Sequence, residues 1–106
     1  MSLPNLSFDV LLSLSSGPKY GYLMLTDIEQ IHQGAYKPSV GMLYVTLQKL
    51  MDEGWVREDA PPADNTDVRR KYYALTASGL NTLSLEVQRK AQLVQQAQTR
   101  LDQFHC

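Results

Sequence analysis

The fold is decided by the stretch KPSVGMLYVTLQKLMDEGWV, residues 37–56. Pro38 biases the residue before it away from the helical conformation, and Ser39 can accept hydrogen bonds from the first free N–H groups of a helix. Gly54 is well placed as the left-handed residue that ends this helix. The apolar positions recur at three- and four-residue steps, which predicts one inward face. That face consists of Leu43, Leu47 and Leu50, with Val40 and Met51 beside it.

Two further helices are predicted upstream of this stretch. The first covers Asn5–Ser15, with Asn5 as its cap and the breaker Gly17-Pro18 after it. The second runs from about Tyr20 to His32 and is stopped by Gly34. Their predicted buried stripes are Leu6, Val10, Leu11 and Leu14 in the first, and Leu23, Met24, Ile28 and Ile31 in the second.

Two short strands and a long helix are predicted downstream. Trp55–Glu58 and Arg69–Leu75 have the composition of strands, and they flank the polar, proline-containing loop DAPPADNTDV, residues 59–68. We expect the two strands to pair antiparallel. Thr76 then caps a helix that contains no proline and can run to about Phe104, a length of about 40 Å.

Three helices followed by a two-stranded ribbon is the order of a winged helix-turn-helix, in which the third helix enters the major groove of DNA. The predicted fold class is therefore mainly α with a small β-hairpin. We expect a winged helix-turn-helix DNA-binding domain in residues 1–76 and a long C-terminal dimerisation helix in residues 77–106.

Composition excludes several other classes. The chain has 106 residues, with 10 basic and 11 acidic side chains and a net charge of -1, so any argument for DNA must come from where the charges lie. Its single cysteine, Cys106, rules out an internal disulfide framework and a cysteine-rich zinc site. Neither a signal peptide nor a membrane-spanning apolar stretch is visible. We expect a cytoplasmic protein without cofactor or metal.

The predicted third helix carries outward groups suited to double-stranded DNA. Small residues at its start leave N–H groups open to a phosphate and permit close approach, and the other groups can contact phosphates or a base edge. A second basic group, the only run of three in the chain, lies at the base of the predicted wing. The candidate DNA-binding residues are Lys37, Ser39, Gly41, Tyr44, Gln48 and Lys49 on the helix, and Arg69, Arg70 and Lys71 on the wing. The alternative interpretation is that both are ordinary solvated surfaces.

The last helix has a heptad pattern. Counted from Leu80, its a and d positions are Leu80, Leu83, Val87, Lys90, Val94, Ala97, Leu101 and Phe104. All of these except Lys90 are apolar, which predicts a dimer interface with the same helix of a second copy. Leu85 and Leu93 lie outside the pattern and indicate a broader contact. The alternative is a helix that folds back on its own domain.

The chain also resembles a known family. The segments LLSLSSGPKYGY (11–22), KPSVGMLYVTLQKLMDEGWV (37–56) and RRKYYALTASG (69–79) resemble, in order and spacing, the PadR family of bacterial transcriptional regulators. The resemblance implies a dimeric repressor that binds a palindromic operator and is usually released by a small molecule. Its DNA-contacting positions fall on Lys37, Ser39, Gly41 and Tyr44, and on Arg69, Arg70 and Lys71.

Departures from the family pattern affect what can be carried over. The family often has Thr at the position of Met42 and Pro-Ala at Val45-Thr46, so the base preference is expected to differ. Some compact members bind flat aromatic drugs between tryptophans of the last helix, but Trp55 is the last tryptophan here. A small aromatic effector therefore stays a candidate partner without that particular site.

Three other functions compete with this interpretation. We expect no enzyme, because the sequence has no nucleophile–base, phosphate-loop or metal-ligand spacing, and because His32 and His105 are isolated. A winged-helix protein–protein interaction module without DNA binding stays open. Redox sensing through Cys106 is a third hypothesis, against which an incidental cysteine is favoured.

Overall fold

The computed structural model describes residues 3–63 and 70–104. Four helices and three short strands follow one another within those residues. In order they are α1 (Asn5–Leu14), β1 (Lys19–Tyr20), α2 (Gly21–Ile31), α3 (Val40–Asp52), β2 (Val56–Asp59), β3 (Tyr72–Leu75) and α4 (Ala77–Phe104). The predicted class is confirmed: a mainly helical chain with the element order of a winged helix-turn-helix and a long C-terminal helix.

Helix α3 begins and ends at the residues predicted for the third helix. The Ser39 hydroxyl accepts a hydrogen bond from the Met42 amide at 3.2 Å and so caps the helix. Gly54 follows the helix with a φ of +80°, a conformation that glycine adopts without a Cβ clash. Leu43, Leu47 and Leu50 are buried as expected, whereas Val40 is 57% exposed and does not join the inward face.

The sheet has one strand more than predicted. Its order is β1-β3-β2, and both pairings are antiparallel, with Tyr20 opposite Tyr72 and Val56 opposite Leu75. β1 was missed because two residues are too few to show an alternating pattern. Strand β3 begins at Tyr72, later than predicted, and the predicted wing residue Arg69 lies outside the described residues. Because β1 leads directly into α2, the start of α2 lies beside the wing strands.

One core joins all four helices to the sheet. It consists of Val10, Leu11, Leu14, Met24, Leu25, Ile28, Leu43, Leu47, Leu50, Val56, Tyr73 and Leu83. In α2 the buried stripe includes Leu25, which was not predicted. The predicted members Leu23 and Ile31 are instead 39% and 37% exposed. At the start of α1, Pro4 occupies the cap position and Asn5 is the first helical residue, so the prediction of an Asn5 cap was wrong.

A compact joint connects the end of α3 to the start of α4. The Thr76 hydroxyl donates to the Gly54 carbonyl at 2.6 Å and accepts from the Gly79 amide at 3.0 Å, which confirms the predicted Thr76 cap. The Thr76 amide also donates to the Trp55 carbonyl at 3.1 Å. A Cβ atom at Gly79 would overlap that same carbonyl, so only glycine permits this approach. The joint holds the first turn of α4 against the residues that end α3.

Candidate nucleic-acid interface

The outward face of α3 is exposed from its first turn onward. Met42, Tyr44 and Val45 are 55%, 47% and 51% exposed, and a Cβ atom added at Gly41 would find open space. The other helix residues predicted to contact DNA, Lys37, Ser39, Gln48 and Lys49, are also exposed. The face that the sequence assigned to the outside is therefore on the outside.

Gln48 differs from its neighbours on this face because its side chain already has a partner. Its Nε2 donates to the Asp52 carboxylate at 3.0 Å, one helical turn further along. The predicted role as a base-edge reader would require this hydrogen bond to be exchanged for one to a base.

Tyr44 connects α3 to the start of α2. Its hydroxyl lies against Gly21, the buried first residue of α2, so that a Cβ atom there would overlap the hydroxyl oxygen. The cap residue Tyr20 makes no side-chain hydrogen bond to the first N–H groups of α2. Because a helix N-terminus carries free donors and partial positive charge, this corner favours an anion.

The base of the wing adds two cations to the same corner. The Arg70 guanidinium lies over the Tyr20 ring, 4.3 Å from its centroid, and the Tyr20 ring in turn meets Tyr72 edge-on at 5.4 Å. Lys71 lies 3.8 Å from the Glu58 carboxylate, and both side chains are well exposed, so water screens this pair. The aromatic contacts orient Arg70 toward the start of α2.

These groups enclose an open cavity of about 530 Å³ between α2, α3 and the wing. Its lining residues are Tyr20, Gly21, Tyr22, Tyr44, Arg70, Lys71 and Tyr73. Cations, phenol hydroxyls and helix N-termini are groups of the kind that bind phosphate oxygens. We call this site the phosphate cavity.

Tyr73 stays protonated in the phosphate cavity. Burial raises the pKa of Tyr73 above the ordinary tyrosine value, and the neighbouring Tyr44 and Glu58 raise this pKa further. The side chain therefore keeps its hydroxyl proton, which an anion can accept as a hydrogen bond.

Sequence reasoning found part of this site. The structure brings the predicted residues Tyr44, Arg70 and Lys71 together at one cavity, while Lys37, Ser39 and Gly41 lie at the start of α3 and Lys49 further along it. The wall supplied by Tyr20, Gly21 and Tyr22 was missed. The signal was present as the segment KYGY, residues 19–22, which places aromatic hydroxyls around a glycine at a helix start.

The first half of α4, residues 77–90, packs on the head, by which we mean the described residues before α4. Leu83 is only 5% exposed and lies in the core, so it faces its own head and not the surface predicted for a second chain. Glu86 is buried, and its carboxylate accepts from the Leu3 amide at 2.6 Å and from Arg89. The Lys90 ammonium lies over the Phe8 ring at 4.8 Å, which explains a lysine at a heptad position.

The second half of α4, residues 91–104, is exposed at every residue. Val94, Leu101 and Phe104 are 68%, 54% and 83% exposed, and Leu93, outside the heptad positions, is 53% exposed. Ala97 is exposed, as are Leu80 and Val87 of the first half. The molecule measures 60 × 29 × 24 Å, an elongated shape that matches a helix of 28 residues projecting from a small head.

A second cavity, of about 560 Å³, lies where α1 and α2 meet α4. Its lining residues are Asn5, Phe8, Asp9, Leu12, Ile31, His32, Tyr36 and Lys90. His32, which the sequence left isolated, caps the end of α2 and contacts the buried Asp9 carboxylate through Nε2 at 2.9 Å. The His32 ring meets Tyr36 edge-on at 5.5 Å, so the cavity combines apolar walls with the Asp9–His32 pair and the polar groups of Asn5 and Lys90. We call this site the tail cavity.

Among residues 3–63 and 70–104, no three or more His, Cys, Asp and Glu side chains are grouped so that they could hold a metal ion. No helix in the part of the chain that the structure describes is long and apolar enough to cross a membrane.

Comparison with known proteins identifies a family. Residues 10–85 match the model of the transcriptional regulator PadR-like family. The matched segment includes α3, the wing strands and the start of α4. No curated protein matches the chain in sequence.

Solved structures share the fold over nearly the whole chain. A transcriptional regulator from Streptococcus is 29% identical, with a TM-score of 0.72 over 89% of each chain. A PadR-like transcriptional regulator from Bacillus cereus has a TM-score of 0.77 at 24% identity, over 91% of this chain and 90% of that one. A PadR family transcription regulator from Clostridium difficile has a TM-score of 0.74 at 16% identity, over 92% of this chain and 98% of that one.

Proposed function

The chain belongs to the PadR-like family of transcriptional regulators, and from this premise we propose that it is a homodimeric, sequence-specific DNA-binding repressor that acts in the cytoplasm. The family is one of regulators, in agreement with the expectation that the chain is not an enzyme. The phosphate cavity supports the proposal most directly, because it joins the exposed face of α3 to two cations and a helix N-terminus. Such a surface fits a duplex whose backbone crosses the cavity while α3 lies in the major groove.

The proposed DNA-binding residues follow from this placement. Tyr44, Arg70 and Lys71 hold one phosphate, and the start of α3, with Lys37, Ser39 and Gly41, approaches the next part of the groove. Lys49 contacts a phosphate from the far end of the helix, and Gln48 and Arg69 complete the proposed set. Occupation of a promoter by such a protein blocks RNA polymerase, which is the proposed mode of repression.

We propose that α4 forms the dimer interface. Its apolar residues at the heptad positions other than Leu83 are exposed, and an apolar stripe of this length is stabilised when a second copy covers it. The proposed interface is Leu80, Val87, Val94, Ala97, Leu101 and Phe104, with Leu85 and Leu93 at its margin. Residues 1–76 are the proposed DNA-binding unit and 77–106 the dimerisation helix, although the core of the first unit extends to Leu83. Two-fold symmetry then requires a palindromic operator with half-sites about 34 Å apart.

The tail cavity is the proposed site of a small aromatic effector. Phe8, Leu12 and Ile31 offer apolar walls for a ring, and the Asp9–His32 pair offers hydrogen bonds. The cavity lies between the head and α4, so a ligand that prefers one tilt of α4 changes the distance between the two reading helices. The variant Leu12→Trp, which fills the cavity, should bind DNA normally and should no longer be released by small aromatic compounds.

The decisive experiment measures DNA binding as a function of salt. Wild-type protein should retard its own upstream genomic DNA, with an affinity that falls as salt rises by a slope of about 0.9 per phosphate contacted. Arg70→Ala and Lys49→Ala should weaken binding to all duplexes and flatten the slope. Arg100→Ala, which removes an exposed cation from α4, is the matched control and should leave binding unchanged.

An interaction module without DNA binding gives a different result in the same assay. It would retard no duplex at low salt, and the three variants would behave like the wild type. If the wild type, Arg70→Ala and Lys49→Ala all retarded the duplex equally, DNA binding would stand, but the assignment of Arg70 and Lys49 to the binding site would be refuted.

A further inference from the structure

The first two turns of α3 present an unusual surface for a helix that reads DNA. Met42 and Val45 are one turn apart and each more than half exposed, and Gly41 beside them adds no side chain. Recognition helices contact base edges mainly with their N-terminal residues. The residues in the reading position here are therefore apolar.

Polar alternatives on the same face are already committed elsewhere. The Tyr44 hydroxyl lies against Gly21 at the phosphate cavity, and the Gln48 amide donates to Asp52. The Ser39 hydroxyl caps α3 through the Met42 amide. Thr46 is buried on the inner side of the helix. The centre of the first two turns of α3, at Gly41, Met42 and Val45, therefore carries no hydrogen-bonding side chain.

On the basis of the proposed DNA-binding function, we propose that Met42 and Val45 read the C5-methyl groups of thymines in the major groove, and are the specificity-determining residues of this protein. Thymine is the one standard base that displays a methyl group in this groove, and apolar side chains recognise it by contact. The missing side chain at Gly41 allows the helix to approach closely enough for this contact. The phosphate cavity on one side and Lys49 on the other place the groove over the apolar patch.

The charges around the apolar patch also favour DNA as its partner. Docking patches on proteins also have polar rims, but this patch is bordered by cations, namely Lys37, Lys49 and those of the phosphate cavity, and the positive sign of the border favours a nucleic acid. That border complements the two backbones of a duplex, which flank the major groove.

The test removes the methyl groups without changing base pairing. Duplexes enriched by the wild-type protein from a randomised pool are resynthesised with single thymine-to-uracil replacements, which delete only the C5-methyl group. Replacement at a contacted position should weaken binding about 4-fold, the value of one buried methyl or methylene group. In Met42→Ala and Val45→Ala the same replacement should cost nothing at the position each residue reads. Lys49→Ala, the matched control on the same helix, should bind more weakly but keep the full difference between thymine and uracil.

The possible failures are separable. Enriched duplexes that bind equally well with uracil at every position would overturn the methyl readout and leave the proposed DNA-binding function standing. A thymine–uracil difference that persists unchanged in both alanine variants would refute the assignment to Met42 and Val45. Failure to enrich any duplex from the pool would refute the proposed function itself, and this inference with it.

Discussion

In the first half of α4, Gly79, Leu83 and Glu86 are buried against the head, whereas every residue of the second half is exposed. The two halves nevertheless have the same heptad spacing of apolar residues. A heptad pattern states that a helix face needs a partner, but it does not state whether that partner is the same chain or another one. The difference between the halves follows from length, because a head of about 75 residues is too small to cover a helix of 28 residues.

Leu83→Ala is the substitution expected to break the first half. Leu83 lies in the core, so the cavity left behind should lower the free energy of unfolding by about 2–5 kcal/mol. Urea unfolding at several protein concentrations measures this loss, which should be the same at each concentration. The control Leu85→Ala, at a residue that is 58% exposed, should lose much less. Equal losses in the two variants would mean that the two sides of α4 are not distinguished as the structure has them.

Leu101→Asp tests the second half in the opposite way. An unpaired carboxylate at an apolar interface costs about 3 kcal/mol or more, which raises the dimer dissociation constant by about 100-fold or more. Analytical ultracentrifugation at micromolar concentration should show a single copy, while circular dichroism should show a folded head. Gln96→Asp places the same charge on an exposed position outside the heptad positions and should leave the dimer intact. A wild-type protein that sediments as a stable single copy would contradict the proposed dimer.

Gly79→Ala sharpens the comparison at the joint. The added methyl group would overlap the Trp55 carbonyl, and the backbone shift should cost about 1–3 kcal/mol of unfolding free energy. Gly41→Ala, in the same helical conformation with open space around it, should instead gain up to about 1 kcal/mol from helix propensity. Thermal unfolding of both variants should therefore shift in opposite directions. Two shifts of the same sign would argue against the close contact at Gly79.

The smallest expected effect is a dependence of stability on pH through Glu86. Hydrogen bonds from Arg89 and from the Leu3 amide hold the pKa of Glu86 below its ordinary value in the folded chain. The folded state therefore binds this proton less readily than the unfolded state, so the contribution is complete above the ordinary glutamate pKa and is lost as pH falls through the lowered one. Melting temperatures measured from pH 7 downward should fall less steeply in Glu86→Gln. An identical slope in the variant would show that Glu86 does not contribute.

Local sequence signals predicted the framework of the fold well. Ser39, Gly54 and Thr76 begin or end helices through backbone geometry and hydrogen bonds within a few residues, so these capping roles can be inferred without knowing the rest of the molecule. Leu43, Leu47 and Leu50 are spaced so that only one face of α3 contains them all. For such residues the chain itself supplies the context.

Long-range placement was harder to predict. Strand β1 forms because Lys19 and Tyr20 pair with β3, which lies about fifty residues later in the chain. Two residues are too few to predict that pairing from the sequence. Leu83 is an apolar heptad residue, like those of the proposed interface, but the head packs against this part of α4 and so buries it in the core. The wall of the phosphate cavity at Tyr20–Tyr22 was missed for the same reason, since its role depends on Tyr44 and Arg70 arriving from other elements.

The joint at Thr76 separates two properties of the proposed dimer, the spacing of its half-sites and its base preference. The Thr76 hydroxyl links Gly54, just after α3, to the first turn of α4, so the start of α4 has a fixed position beside the end of α3. In the proposed dimer, a substitution in the second half of α4 that alters the angle at which the two α4 helices cross would change the distance between the two copies of α3. The spacing of the half-sites would then change, while α3 itself would stay the same. Half-site spacing and base preference would then be determined by different segments of the chain, so that a substitution could change one without the other.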